Sequence, residues 1–343
     1  MRKIKVVGDP NNTESCSSEI IITNLNKGLK NLDLYSEDGD LVVYDCLAND
    51  HGQPAKYIIC PYETAIPYVV FHNARNRVLI GVSNQNQTFY LEGGYPAEKT
   101  DVCLLGVDSK LWSPIQREPN KKFIFGMMCD SNTRAAYDEL FTAFGRAFSG
   151  NRDVMLYIKD RWGTPQFKAY IKYITELLDI TVCYDDDHIT DKRKERILYN
   201  LLDCHVFLNR SSTFAMTVAQ GMAMQKPTIV MDYSGPRDYC NHLNAFLVDF
   251  DLKEIKSEDL EILASRGYRN YLFTPNISSF RINPRWAVPN VDSLTGKLRQ
   301  VYENEQLRRE TAYYARGTAE ALTWEKSAAT LSAIVTKHEN PSI

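Results

Sequence analysis

From Lys3 onward the chain alternates short β-branched runs with amphipathic helical segments, and this alternation limits the folds open to it. The runs KIKVV, DLVVYD, KYIIC, RVLIGVS and KTDVCLL predict strands, with helices over SEIIITNLNKGLKNL, AIPYVVFHNARN and QNQTFYLEGG between them. Strands that return in the same direction through helices build a parallel sheet covered on both faces. The segment DSKLWSPIQREPNKK, residues 108–122, then breaks the pattern with two prolines and no periodicity, and it reads as a linker. Beyond it the alternation restarts with KFIFGMM, a helix from Arg134 to Phe148, DVMLYIK, PQFKAYIKYITELL, ITVCYD, RKERILYNLL and CHVFLN. A second doubly wound sheet follows, as a length of 343 residues allows. The tail from Asn290 is helical and must cover other elements, and its last helix is expected to cross back to the first domain. The expected division is 1–115, completed by a helix over 323–343, and 116–322.

The stretch RSSTFAMTVAQGMAMQKPTIVMDYSGPRD, residues 210–238, carries the first hint of chemistry. Met216, Val218, Ala219, Met222 and Ala223 line one face of a short helix, while Ser211, Ser212 and Thr213 are residue types that cap free N–H groups. PTIVMD reads as a buried strand closed by the turn Ser234, Gly235 and Pro236. A helix N-terminus beside a strand's carboxyl end is where open α/β sheets hold anions. The amides of Thr213, Phe214 and Ala215 are therefore expected to face an anionic ligand. Arg134, after a polar turn, and Lys159, at the carboxyl end of VMLYIK, are the expected cations.

Composition excludes several classes. With 44% hydrophobic and 24% charged residues and a net charge of -3, the chain is globular rather than disordered, and its balance gives no electrostatic support for nucleic-acid binding. The eight cysteines show no Cys-x-x-Cys spacing, so buried thiols in a reducing cytoplasm are expected rather than zinc or disulfides. MRKIKVVGDP reads as a first strand and not a signal peptide, and no run reaches the roughly eighteen apolar residues of a membrane span. No Gly-x-Ser-x-Gly elbow or His-Glu-x-x-His spacing is present. The acidic and basic run DDDHITDKRKER reads as a solvated helix face.

Taken in order, SSTFAMTVAQGMAMQKPTIVMDYSGPRDY, IGVSNQNQTFYLEGGYPAEKTDVCLLGVDSKLWSP, SNTRAAYDELFTAFGRAF, RWAVPNVDSLTGKLRQVYENE and LTWEKSA resemble glycosyltransferase family 4, the retaining transferases of the GT-B fold. That resemblance implies two Rossmann-like domains facing a cleft, a nucleotide-diphosphate sugar as donor, a hydroxyl acceptor, and neither metal nor other cofactor. RWAVPNVDSLTGKLRQVYENE is similar to C-terminal helices of the family. Where the family has two glutamates with seven residues between them, this chain has Ser212 and Gln220, and where the family's helix starts Arg-Lys-Gly it has Arg134, Ala135 and Ala136. In the family the second glutamate holds the donor's ribose and the first contacts the transferred sugar. Gln220 can still form hydrogen bonds without charge, and Ser212 reaches less far. The glycine-rich loop after the first strand is replaced by NNTESCSS, where Ser17 is the candidate for phosphate. Glu63 in CPYETAIP resembles an acidic residue on the family's acceptor side. The short first domain leaves an open cleft that suits a large acceptor, such as a glycan or a hydroxymethylated DNA base. The missing glutamates and glycine loop motivate a second reading, a nucleotide- or glycan-binding protein without turnover, and the fold also hosts nucleotide-sugar epimerases.

Overall fold

The computed structural model describes residues 1–8, 16–44, 55–65, 67–270 and 280–340. Two parallel sheets organise them. The first contains β1 (Ile4–Gly8), β2 (Asp40–Tyr44), β3 (Tyr57–Ile59), β4 (Val78–Gly81) and β5 (Thr100–Val102), side by side in chain order. Its helices are α1 (Cys16–Asn31), α2 (Tyr68–Asn73) and α3 (Asn84–Glu92). Alternation along the strands separates the two faces. Val6, Val42, Tyr57, Ile59, Val78 and Ile80 form one core with Ile21, Leu25 and Leu29, a stripe four residues apart on α1. Ile58, Cys60 and Leu79 face the other way, towards Val70 of α2, Ala74 at its C-cap and Tyr90 of α3.

The second sheet is wound in both directions. It contains β6 (Phe123–Met128), β7 (Val154–Lys159), β8 (Val182–Asp185), β9 (Cys204–Phe207), β10 (Thr228–Met231) and β11 (Phe246–Val248), in the order β8-β7-β6-β9-β10-β11. The chain starts at β6, builds outward through β7 and β8, and returns to place β9 against the other side of β6. Its helices are α4 (Tyr137–Phe148), α5 (Pro165–Leu178), α6 (Lys192–Leu201) and α7 (Met216–Ala223). Leu140, Phe144 and Phe148 repeat every four residues on α4 and are buried against Phe125, Leu294 and Leu298. Each such side chain contributes roughly 2 kcal/mol by leaving water.

The segment 108–122 holds neither strand nor helix, yet it is anchored: Trp112 is buried and meets Tyr199 edge-on at 5.4 Å. RWAVP is not helical. It forms β13 (Arg285–Pro289), antiparallel to β12 (Phe250–Glu254), with Trp286 and Ala287 packed inward. The helix resembling the family's begins only at Val291, where Asn290 caps it by accepting from the Ser293 amide. After α8 (Ser257–Ser265), α9 (Val291–Glu303) and α10 (Glu305–Ala321), the last helix α11 (Trp324–Glu339) returns to pack on α1 of the first sheet. Gly106 permits this return, because a Cβ there would lie 2.5 Å from the Trp324 nitrogen. The Val107 amide donates to the Leu322 carbonyl at 2.8 Å, and the Tyr57 hydroxyl donates to Glu339 at 2.6 Å. No helix among the described residues is long and apolar enough to cross a membrane. Cys60, Cys103, Cys204 and Cys240 are buried and outside any disulfide among the described residues.

One buried group ties stability to pH. His205 on β9 is fully enclosed beside Tyr199, and neither ring nitrogen has a hydrogen-bond partner among the described residues. Burial alone pushes its pKa down to about 3. The unfolded chain protonates the same ring near pH 6.5, so stability is complete above that pH and falls as pH drops towards the folded value. At pH 5 the loss is about 2 kcal/mol. His205→Leu should remove it: urea unfolding at pH 7.5 and 5.0 should then show a smaller difference than in the wild type, and an unchanged difference would place the acid sensitivity elsewhere.

Candidate active site

The reversal of strand order falls between β6 and β9, and the loops leaving the carboxyl ends of those strands meet there. The first is residues 129–136. The Arg134 amide donates to Asn132 Oδ1 at 3.0 Å, the Arg134 carbonyl accepts from the Arg210 amide at 2.7 Å, and the Ala136 amide donates to the Leu208 carbonyl at 2.8 Å. Ala135 and Ala136 are fully buried and bring no side chain between the two backbones. These pairings correct the expected helix start: with main-chain groups of Arg134 and Ala136 committed to the next loop, α4 opens only at Tyr137. Arg134 sits in the turn ahead of it.

The second loop runs through Ser211–Ala215. The Ser212 carbonyl accepts from the Gly235 amide at 3.0 Å and from the Ser234 hydroxyl, and the Ser212 amide donates to Ser234 Oγ at 3.2 Å. Tyr239 donates its hydroxyl to the carbonyls of Phe214 and Ala215, at 2.7 and 3.1 Å. The carboxyl end of β10 thus holds the loop in place. Hydroxyl capping by Ser211, Ser212 or Thr213 does not occur. The N-cap of α7 is Ala215, with φ 62° and no side-chain cap. Left-handed backbone costs an alanine about 1 kcal/mol. It turns the chain so that no main-chain acceptor among the described residues takes the amides of Thr213, Phe214 and Ala215.

Glu63 arrives from the other sheet, in the segment after β3. Asn86, fully buried, fixes that segment by donating to the Tyr62 carbonyl at 2.8 Å and accepting from the Val82 amide at 3.0 Å. The Glu63 carboxylate forms an ion pair with the Arg134 guanidinium, with side-chain exposures of 20% and 10%. Such a pair is largely out of water and its Coulomb attraction is correspondingly strong. A second tie joins the same two lobes: the Asn84 amide and side chain donate to Asp238 at 2.8 and 2.9 Å, which puts a carboxylate at the positive end of α3. Asp238 follows the Ser-Gly-Pro turn, and only the tertiary pairing reveals its role.

Lys159 and Gln220 have polar partners of their own. Lys159 is buried, with its ammonium 3.0 Å from Asp185 and also donating to the Asp187 carbonyl. Burial pushes the Asp185 carboxyl up, but hydrogen bonds from Tyr157, the Asp187 amide and Lys159 together hold it below its ordinary value. Lys159 therefore serves the β7–β8 end, and its charge is already matched. Gln220 lies one turn inside α7, is buried, and accepts from the Tyr199 hydroxyl at 3.3 Å. Ser17 is in the first turn of α1, and its side chain, like residues 11–15 of the NNTESCSS loop, falls outside the described residues.

No protein-family model matches the chain, and no curated protein matches it in sequence. Solved structures do match. A glycosyltransferase from Rickettsia africae ESF-5 is similar over 96% of both chains, with 14% identity and a TM-score of 0.59. Sucrose-phosphate synthase from Thermosynechococcus elongatus is similar over 92% of this chain and 71% of its own, at 12% identity and a TM-score of 0.61. Anabaena HepE, in complex with UDP and glucose, matches over 87% and 71%, at 14% identity and a TM-score of 0.57. The fold is GT-B. Within this GT-B frame the Glu63–Arg134 pair spans the two lobes, each partner standing in a segment that follows a strand of its own sheet.

Proposed function

We propose that this chain is a retaining glycosyltransferase that moves a hexosyl or pentosyl unit from a nucleotide-diphosphate sugar to a hydroxyl acceptor without a bound metal. The observation that carries this reading is a buried guanidinium at the strand-order reversal, joined through the main chain to a loop with three amides lacking main-chain acceptors. As the glycosidic bond breaks, negative charge grows on the departing diphosphate, and fixed N–H dipoles and a guanidinium stabilise it there. The acceptor oxygen attacks from the same face, its proton passing to a departing phosphate oxygen, so configuration is kept and no separate base is required. UDP in the similar HepE structure supports a uridine donor. Glu63, on the opposite lobe, faces the acceptor side. We also propose the division at residue 115, a large acceptor and a cytoplasmic setting.

Gln220, turned to Tyr199, favours one competing reading, a binding protein without turnover. Incubation with labelled UDP-, GDP- and ADP-sugars separates the possibilities. A transferase hydrolyses its donor slowly without acceptor, an epimerase interconverts sugars, and a binding protein retains the nucleotide unchanged. Absence of both binding and hydrolysis across the panel would refute the proposal.

A further inference from the structure

The Arg134 guanidinium already has an anionic partner, and that partner comes from the other lobe. Both members are fixed through their backbones. Arg134 is pinned by Asn132 and Arg210, and the segment bearing Glu63 is pinned by Asn86. A diphosphate cannot be added to the pair as it stands without placing three anionic groups around one cation. We infer that Glu63 and the donor's diphosphate compete for Arg134, so that donor binding exchanges one anion for another and releases the Glu63 carboxylate towards the acceptor side. This inference rests on the reading of Arg134 as the donor's anion-binding residue.

The competing carboxylate lowers the fraction of Arg134 open to an anion, and apparent affinity falls by that fraction. Inorganic pyrophosphate is the probe, titrated calorimetrically at low ionic strength into wild type, E63Q and R134Q. Removing the carboxylate's charge in E63Q should tighten pyrophosphate binding by about tenfold, whereas R134Q should weaken it by about thirtyfold or more. Unchanged or weaker binding by E63Q, with R134Q still impaired, overturns the competition alone. Unchanged binding by R134Q overturns the anion-site reading beneath it. Amide hydrogen exchange on the wild-type protein provides an independent check should E63Q not fold. Saturating pyrophosphate should speed exchange over Tyr62–Ala65 as the carboxylate lets go, and exchange that stays the same or slows overturns the competition.

Discussion

Replacing Gly235 with alanine is expected to destabilise the protein by about 3 kcal/mol and to weaken nucleotide binding with it. The added methyl would lie 1.8 Å from the Thr213 carbonyl oxygen and 2.8 Å from the Phe214 Cα, so it would strike main chain rather than a side chain that can swing aside. Relief requires the Ser211–Ala215 loop to move, together with the Ser212–Gly235 hydrogen bond that holds it. The loop is also held by Tyr239 and by the αL turn at Ala215, so a small shift does not suffice. Urea unfolding measures the first effect and UDP titration the second. Wild-type values for both would show that the turn after β10 does not set the loop.

Arg134→Gln should cost about 2 to 3 kcal/mol of binding free energy for UDP, because hydrogen bonds between a guanidinium and phosphate are worth roughly that amount. It should also lower folding stability, since a mostly buried Glu63 would lose its counter-charge. These two effects separate in a double-mutant cycle. E63Q combined with R134Q should recover stability, as no unpaired charge is left, while UDP binding stays weak. Recovery of binding in the double variant would mean that Arg134 acts only by neutralising Glu63.

Much of the architecture follows from local rules. PQFKAYIKYITELL is α5 from end to end because its signals are all local: Thr164 accepts from the Phe167 amide, Pro165 opens the first turn, and Asp179 stops the helix in left-handed backbone. The start at Arg134 misses by three residues because the partners that claim its backbone lie more than seventy positions away, at Leu208 and Arg210. The same holds for α7, where Ser234, Gly235 and Tyr239 organise the loop that hydroxyl types alone suggest would cap itself. RWAVP turns extended by pairing antiparallel with FDLKE, which lies on the far side of α8 in the chain, a choice its own composition does not dictate.

Site residues divide along the same line. Glu63 and Arg134 occupy positions matching the resemblance, but that they touch is a property of how the lobes meet. Gln220 stands where the family has its second glutamate and Lys159 at the carboxyl end of a strand, yet Tyr199 and Asp185 decide where their polar ends go.

A crystal structure with UDP would test the central claim most directly, that main-chain amides and one guanidinium at the strand-order reversal grip a diphosphate. The account predicts β-phosphate oxygens within about 3 Å of the Arg134 guanidinium and of at least one amide among Thr213, Phe214 and Ala215. UDP bound with its diphosphate away from both would contradict it.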